Sequence, residues 1–213
     1  MQKQNKITDR NALKKNRARA MSAKNSYFYL HETAVEEIVE RLRGINREFN
    51  KIAIVTGASQ GIGETIAVEM AKSGASVFCL ARNKEALDFT VKKIISNGGK
   101  ASAYSCDISN NKQFSEIVTN IFKDEGSIDI LVNNAGITKD NLVMRMSNDQ
   151  WDKVLNINLK GSFTSTRSVI KFMMKKKFGR IINITSIVGL TGNAGQANYA
   201  ASKAGLIGMT KSI

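Results

Sequence analysis

Two side chains near the end of the sequence could carry acid–base chemistry. Tyr199 and Lys203 lie four residues apart in the small-residue run NYAASKAGLIG. In a helix this spacing places both side chains on one face, one turn apart. A free tyrosine has a pKa of about 10 and is a poor proton donor or acceptor at neutral pH, but a neighbouring ammonium group stabilises the phenolate and lowers that pKa. The alternative is a half-buried helical tyrosine beside a surface lysine.

A glycine-rich turn upstream indicates nucleotide binding. The segment TGASQGIG, residues 56–63, follows the apolar run KIAIV and precedes a helical pattern. Gly57 permits a tight turn, Gly61 lets a pyrophosphate approach the backbone, and Gly63 lets the helix pack on the strand, while N–H groups at the helix start hold the phosphates. A purely structural turn is the alternative. We expect the turn to contact a dinucleotide through Gly57, Ala58, Ser59, Gln60, Gly61, Ile62 and Gly63.

The residue after the second predicted strand indicates which cofactor is used. An acid at this position would accept a hydrogen bond from the ribose 2′-hydroxyl of NAD, whereas this chain has Arg82 followed by Asn83. A guanidinium group suits a 2′-phosphate, through its charge and its paired hydrogen bonds. The sequence therefore predicts NADPH rather than NADH. The alternative is an exposed arginine at the end of a strand.

From Lys51 onward, short apolar runs alternate with helical stretches, which predicts an α/β fold with a doubly wound parallel sheet of Rossmann type. The predicted strands are KIAIVTG, ASVFCLAR, KASAYSCDI, IDILVNNAG and GRIINITS. The predicted helices include a long one over residues 147–177 and a last one that begins near Gln196. Apolar runs without strict alternation are typical of strands covered on both faces. Such sheets bind ligands at the carboxyl ends of their strands.

Composition excludes several classes of protein. The single histidine, His31, lies outside the region that carries the motifs, which leaves no Ser-His-Asp hydrolase and no histidine-rich metal site, so no metal is predicted. Cys79 and Cys106 lack a metal-binding spacing and are expected to be reduced core thiols. The sequence shows neither an apolar run long enough to cross a membrane nor the apolar stretch of a secretory signal, so we expect a cytoplasmic protein without membrane contact.

The net charge of +14 is concentrated towards the two ends of the chain. Residues 1–24 hold eight Lys or Arg and one acid, and residues 153–213 hold ten and no acid. Such a field favours an acidic partner. The alternative is that a further C-terminal segment carries the balancing acids. The basic arm has no interleaved aromatic residues and no recognised nucleic-acid-binding fold, so no nucleic acid is expected as a partner.

Taken together, the motifs resemble the short-chain dehydrogenase/reductase family over residues 51–213. The interval of thirteen residues between Ser186 and Tyr199 is the family's usual one. The runs NNAGITKDNLVMRM and GLTGNAGQANYAASKAGLIG resemble one branch, the 3-oxoacyl-[acyl-carrier-protein] reductases of fatty acid biosynthesis. The resemblance implies NADPH-dependent reduction of a 3-oxoacyl group on acyl carrier protein to the 3-hydroxyacyl form. The motifs that carry it are TGASQGIG (56–63), CD (106–107), NNAG (133–136), NLKG (158–161), Ser186 and YAASK (199–203).

The resemblance also implies roles for individual residues. Tyr199 is the acid–base catalyst, Lys203 lowers its pKa and holds the nicotinamide ribose, and Ser186 binds and orients the substrate carbonyl. Asn158 anchors a water on the proton path towards Lys203. Tyr199 is also expected to contact the cofactor. Further cofactor contacts fall after the third strand and after the fourth strand, namely Asp107, Ile108, Asn134, Ala135 and Gly136.

The same resemblance predicts how a protein partner is bound. Acyl carrier protein is acidic, and this branch docks it on basic residues near the site entrance. That role would fall to the basic stretch with Lys175, Lys176, Lys177 and Arg180. Solvation of a helix end explains these charges equally well. The family also forms homo-oligomers, and the full-length form is expected to be a tetramer.

The sequence departs from the family at both ends. It stops at Ile213, inside the helix that carries Tyr199, and it contains no proline, so we expect a domain that is incomplete at its C-terminus. Residues 1–50 are expected to form a basic arm and an amphipathic helix outside the core domain. Within them, residues 9–49 weakly resemble the start of a malonyl-carrier-protein methyltransferase, as in a gene fusion. An organellar targeting peptide is the other interpretation of the basic N-terminus.

The sequence leaves three functions open. The first is the 3-oxoacyl-[acyl-carrier-protein] reductase, and the second is a related NAD(P)-dependent carbonyl or alcohol oxidoreductase with another substrate. The third is an inactive nucleotide-binding fragment. Activity on free ketones without activity on carrier-bound substrate would favour the second, and a Tyr199→Phe variant with unchanged properties would favour the third.

Overall fold

The computed structural model describes residues 51–213. The described part begins at Lys51, where the alternation of predicted strands and helices also begins. The basic arm, the amphipathic helix after it and the likeness of residues 9–49 to a methyltransferase lie outside the described residues, so they stay predictions.

The described residues form one parallel sheet. Its strands are β1 (Ile52–Thr56), β2 (Ser76–Ala81), β3 (Lys100–Ser105), β4 (Ile130–Asn133) and β5 (Arg180–Asn183). They pair in parallel in the order β3-β2-β1-β4-β5. The predicted doubly wound sheet of Rossmann type is therefore confirmed. The direction of winding changes between β1 and β4, which is the switch point where such sheets bind ligands.

Helices cover both faces of this sheet. In the described part they are α1 (Gly61–Lys72), α2 (Lys84–Ser96), α3 (Asn111–Glu125), α4 (Asn148–Leu155), α5 (Gly161–Lys176), α6 (Val188–Thr191) and α7 (Ala197–Lys211). Helices α3 and α5 pack together over one face, where Phe114, Val118 and Val169 join Ile54 and Leu131 in an apolar core. Helices α1 and α2 contact each other and strands β1 to β3. None of the helices described here is long and apolar enough to span a bilayer.

The long helix predicted over residues 147–177 contains a π-helical turn. A capping box between Ser147 and Gln150 fixes its start. Helix α4 leads into the π-helical turn at Asn156–Lys160, and α5 continues from it with helical backbone throughout. Such turns are frequent at functional sites, because the extra residue redirects the side chains of the turn. Here the turn contains Asn158, a predicted site residue.

The fifth strand is shorter than the sequence pattern predicts. It ends at Asn183, and the chain then turns into the short helix α6, which was not predicted. Ser186 therefore lies in the loop beyond the strand. Its Oγ accepts a hydrogen bond from the N–H of Val188 at 3.2 Å, which fixes the hydroxyl beside the start of α6.

Both cysteines are buried and unpaired, as expected for core thiols. Burial raises the pKa of the Cys79 thiol to about 12. Burial and then the charge of Asp107 raise the pKa of Cys106 to about 11. Neither side chain forms the reactive thiolate near neutral pH, so their contribution is to packing.

Candidate active site

The glycine-rich turn after β1 has no room for a side chain at Gly57 or at Gly63. Gly57 has left-handed backbone (φ +67°), and its N–H donates to the carbonyl of Leu80 at 2.7 Å. A Cβ atom at Gly57 would lie 2.9 Å from the side-chain nitrogen of Asn134, and one at Gly63 would overlap the carbonyl oxygen of Gly57. Gly63 therefore lets helix α1 begin directly against the turn. The sequence analysis instead predicted that Gly63 lets the helix pack on the strand.

Thr56 and Asn134 tie this turn to the end of β4. The Thr56 hydroxyl donates to the carbonyl of Val132 and accepts from the N–H groups of Asn134 and Ala135, each at 3.1 Å. The Asn134 side chain donates to the carbonyls of Thr56 and Gly57 at 3.1 and 3.2 Å. Asn134, predicted as a cofactor contact, thus uses its side chain to hold the turn. Sequence reasoning missed Thr56, although a hydroxyl residue directly before the glycine turn was an available signal.

The start of α1 lies at the same edge of the sheet and offers N–H donors. Gln60 is the N-cap residue, and its side chain makes no capping hydrogen bond. The first N–H groups of the helix, from Gly61, Ile62 and Gly63, have no partner within the helix. Together with the partial positive charge of a helix start, they suit a phosphate or another anion.

A cavity of about 690 Å³ lies at the carboxyl ends of β2 and β3, where the adenosine side was predicted. Arg82 and Asp107 both line it. Burial opposes ionisation of Asp107 and raises its pKa. Hydrogen bonds from the hydroxyl and the N–H of Ser109, at 2.7 and 2.9 Å, and the charge of Arg82 lower the pKa by more. The pKa of this carboxyl therefore lies below its ordinary value. Ile108 packs against Gly161 of α5. Lysines that the sequence analysis did not single out also line the cavity, namely Lys139, Lys153 and Lys160.

Asn158 joins three elements through hydrogen bonds. Its side chain is fully buried, accepts from the N–H of Ile137 at 2.8 Å, and donates to the carbonyl of Ile137 at 3.0 Å and to the hydroxyl of Ser202 at 3.1 Å. A Cβ atom at Gly136 would lie 3.2 Å from the Asn158 oxygen and 3.7 Å from Nζ of Lys203. The π-helical turn, the loop after β4 and helix α7 therefore meet at this residue.

Lys203 is buried with its ammonium group directed at the loop after β5. Its Nζ donates to the carbonyl of Ile184 at 2.7 Å and lies 5.6 Å from the ring centre of Tyr199. Only 4% of the residue is exposed. Burial disfavours the charged form and lowers the pKa of Lys203 to about 8. The lysine therefore lies on the same side of α7 as Tyr199, as the helical spacing predicts, and can lose its proton near neutral pH.

The phenol of Tyr199 is half-buried next to Ser186. Burial raises its pKa, hydrogen bonding with the Ser186 hydroxyl lowers it in part, and the charge of Asp140 raises it, so that the pKa lies above the ordinary value. The predicted lowering of this pKa by Lys203 does not hold in this structure, because the ammonium group donates to Ile184 and not to the phenol. The phenol of Tyr199 is therefore a weaker acid here than a free tyrosine.

The basic stretch at the end of α5 lies at the opposite edge of the sheet. Residues 175–177 close α5, and Arg180 begins β5, where its N–H donates to the carbonyl of Asp129 at 2.8 Å. Because all strands are parallel, this is the amino-terminal edge, whereas Ser186 lies beyond the carboxyl end of β5. Within one chain, the predicted location of this stretch at the site entrance is therefore wrong.

Replacing Lys203 by Met should raise the free energy of unfolding at pH 7 by about 2 kcal/mol. The pKa of Lys203 is lowered from 10.5 to about 8 in the folded state. Each pKa unit of this lowering means that the charged lysine costs the folded state about 1.4 kcal/mol. The hydrogen bond to Ile184 offsets about 1 kcal/mol of that penalty. Denaturant titration of both proteins measures the difference.

The pH dependence of this gain follows from the same pKa. Below pH 8 the lysine is charged in both the folded and the unfolded state, so the gain from Lys203→Met is complete, and it declines between about pH 8 and 10.5 as the folded and then the unfolded state lose the proton. Lys211→Met, an exposed change on the same helix, should alter stability by less than about 0.5 kcal/mol. A Lys203→Met protein less stable than the original at pH 7 would contradict this account.

Comparison with known proteins finds one matching family and several similar relatives. A family model described as short chain dehydrogenase matches residues 51–213. The 3-oxoacyl-[acyl-carrier-protein] reductases of Thermotoga maritima and Synechocystis sp. are each 46% identical, over 161 and 164 residues, which is 76% of this chain and 65% and 66% of theirs. The reductase of the same name from Rickettsia bellii is 51% identical over 164 residues, or 64% of its length. The chain thus spans about two thirds of the length of these relatives.

A solved structure has a similar fold. It is the crystal structure of a candidate short-chain alcohol dehydrogenase from Sinorhizobium meliloti, with a TM-score of 0.73 and 34% sequence identity. The likeness covers 76% of this chain and 64% of that one. The relatives found by sequence and by structure therefore agree on the class of fold.

Proposed function

This chain belongs to the short-chain dehydrogenase family, and on that premise we propose that it reduces a 3-oxoacyl group on acyl carrier protein to the 3-hydroxyacyl form with NADPH, in fatty acid biosynthesis. The observation that carries the proposal is the meeting of Asn158, Ser186, Tyr199 and Lys203 at the carboxyl edge of the sheet. The names of the curated relatives support the choice of substrate.

The residues at this edge fit a nicotinamide dinucleotide, the cofactor of the family. Close packing at Gly57 and Gly63 fixes the backbone of the turn, whereas a Cβ atom at Gly61 would meet nothing within 4 Å, which leaves room for a phosphate. The start of α1 supplies N–H donors for the pyrophosphate. Arg82 and Asp107 would hold the adenosine end, with the guanidinium group on a 2′-phosphate. Lys203 would hold the nicotinamide ribose. When bound, the cofactor supplies the hydride.

The side chains perform the proton chemistry and position the substrate. Ser186 donates a hydrogen bond to the substrate carbonyl oxygen, and Tyr199 gives that oxygen its phenolic proton. The pKa of Tyr199 lies above its ordinary value in the free chain, so release of the proton requires stabilisation of the phenolate as it forms. Lys203, with a pKa of about 8 and its Nζ 5.6 Å from the Tyr199 ring centre, would stabilise the phenolate as it forms during the transfer and return a proton to it. The main-chain carbonyl of Asn158 would anchor the water that returns a proton to Lys203. This carbonyl accepts a hydrogen bond from the Ser162 hydroxyl at 2.8 Å and retains a second lone pair for the water.

Acyl carrier protein as the partner is supported by the names of the relatives and not by the stretch at residues 175–180. That stretch lies at the amino-terminal edge, so a carrier docked there would reach the site only in a second subunit of the homo-oligomer that we also propose. Basic residues near the carboxyl edge of the same chain are Lys139 and Lys153, which line the cavity. Both arrangements present positive charge to an acidic partner.

Cofactor titration and a turnover assay together test the proposal. Saturable binding of NADPH, followed by cofactor fluorescence, should be tighter than binding of NADH. Oxidation of NADPH should then be faster with a 3-oxoacyl thioester of acyl carrier protein than with a free ketone. Faster turnover of the free ketone would favour a related carbonyl reductase. Binding without any turnover would favour a nucleotide-binding fragment, and an absence of binding would exclude the enzyme.

Replacing Arg82 by Ala should weaken NADPH binding about tenfold or more and leave NADH binding unchanged, because a charge-assisted contact to the 2′-phosphate is lost. Separate fluorescence titrations with the two cofactors measure this. Lys84→Ala is the matched control: Lys84 is exposed two residues further on and pairs loosely with Asp88 at 3.8 Å, so its loss should affect neither cofactor. Equal weakening of NADPH and NADH binding by Arg82→Ala would show that Arg82 does not contact the 2′-phosphate.

A further inference from the structure

The loop after β4 is fastened to the start of α7 by three consecutive residues. Each of residues 139–141 makes one hydrogen bond to the segment 195–198, through a different kind of group. The bonds join the Asn198 side chain to the carbonyl of Lys139 at 2.9 Å, the Gln196 side chain to the carboxylate of Asp140 at 2.8 Å, and the N–H of Asn141 to the carbonyl of Gly195 at 2.8 Å. The position of the helix that carries Tyr199 therefore depends on this loop.

Of these three hydrogen bonds, the one between the Gln196 side chain and Asp140 involves a charged group. Gln196 is the N-cap residue of α7, yet its side chain makes no capping hydrogen bond. Its nitrogen donates to Asp140, and its oxygen accepts from Asn193 at 3.0 Å. Both the nitrogen and the oxygen of the Gln196 amide are therefore hydrogen-bonded. Gln196 precedes Tyr199 by three residues, so it holds the carboxylate of Asp140 near the start of α7.

The other groups near Tyr199 do not replace this charge. Lys203, on the same helix, directs its ammonium group to the carbonyl of Ile184, and Ser186 presents a neutral hydroxyl. Helix α4 packs against α7 and contacts its start through the carbonyl of Gln150. The charged residues of α4 are Asp149 and Lys153, which pair with each other at 2.9 Å, and the exposed Asp152.

We propose that Asp140 is a positioning residue for the reaction: held by Gln196, its carboxylate fixes the start of α7 and places a negative charge near the phenol of Tyr199. The inference rests on the proposed function for its role in turnover. Its physical basis is that a negative charge beside a phenol disfavours the phenolate. The pKa of the phenol then reflects burial and the charge of Asp140, which raise it, and the Ser186 hydroxyl, which lowers it.

Titration of the phenolate by ultraviolet absorbance tests the charge. The chain has four tyrosines, so the difference between each protein and its Tyr199→Phe counterpart isolates Tyr199. Asp140→Asn keeps the shape and the hydrogen bond to Gln196 but removes the charge, and the Tyr199 transition should move to lower pH. Asp149→Asn makes the same change on an exposed acid of α4 and should not move it. An unmoved transition in Asp140→Asn, or an equal shift in Asp149→Asn, would overturn the proposal.

Gln196→Met tests the positioning, because it removes the bond and keeps the charge of Asp140. Amide hydrogen exchange at the first turn of α7 should become about tenfold faster, as for the loss of one hydrogen bond to a charged group. Unchanged exchange there would overturn the positioning role. Neither measurement needs turnover, so their failure would count against Asp140 alone. Both results as expected, in a chain without reductase activity, would count against the proposed function alone.

Discussion

Replacing Tyr199 by Phe should lower kcat for reduction of the ketone by about a thousandfold, which is typical of the loss of a general acid. The change removes the hydroxyl that gives its proton to the substrate oxygen and keeps the ring that packs at the start of α7. NADPH binding should change by less than about threefold, because the glycine turn and the adenosine cavity, which supply most of the cofactor contacts, lie outside the substituted side chain. Initial rates of NADPH oxidation and a fluorescence titration measure the two effects separately.

Tyr104→Phe is the matched control for this experiment. Tyr104 is half-buried on β3, with its ring centre 6.0 Å from that of Phe78, so the same atom is removed from a core tyrosine that is not among the site residues. Its activity should equal that of the original chain. A Tyr199→Phe protein with retained activity would show that another group supplies the proton, and equal losses in both variants would show that the effect is not specific to the site.

Replacing Gly63 by Ala should weaken NADPH binding at least tenfold and lower the free energy of unfolding by about 1–3 kcal/mol. The added methyl group would overlap the carbonyl oxygen of Gly57 and the Asn134 side chain. The carbonyl belongs to a turn whose N–H is bonded to Leu80, so relief of the overlap would displace the phosphate cradle. An overpacked site of this kind typically loses such amounts of stability. Cofactor titration and chemical denaturation measure the two losses.

Gly208→Ala controls for the chemical change itself. Gly208 lies in α7, and a Cβ atom there would meet nothing within 4 Å. Alanine in a helix interior should stabilise the chain by about 0.5–1 kcal/mol, with cofactor binding unchanged. If Gly63→Ala behaved like Gly208→Ala, the turn would be looser than this account requires and its role as a cradle would be refuted.

The sequence predicts the fold and much of the site because both depend on local patterns. Apolar runs between helical stretches indicate parallel strands, and parallel strands bring their carboxyl ends to one edge. Arg82 and Asp107, each just after a strand, are therefore placed together before any contact is known. The spacing of Tyr199 and Lys203 likewise follows from helical geometry alone.

The remaining features depend on contacts between residues that are distant in the sequence. The hydrogen bonds of Asn158 to Ile137 and of Lys203 to Ile184 join different elements, and no spacing rule predicts them. For the same reason, the sequence predicted a lowered pKa for Tyr199, whereas burial and Asp140 raise it. The position of residues 175–177 within one chain could have been predicted, since a helix between parallel strands runs back to the amino-terminal edge.

The most direct test of the central claim follows the hydride itself. The chain is incubated with a 3-oxoacyl thioester of acyl carrier protein and NADPH that carries deuterium at the transferred position, and the acyl product is analysed by mass spectrometry. The account predicts a 3-hydroxyacyl product with deuterium on carbon 3, and essentially none of it from the Tyr199→Phe protein. A chain that binds NADPH yet forms no labelled product would contradict the account.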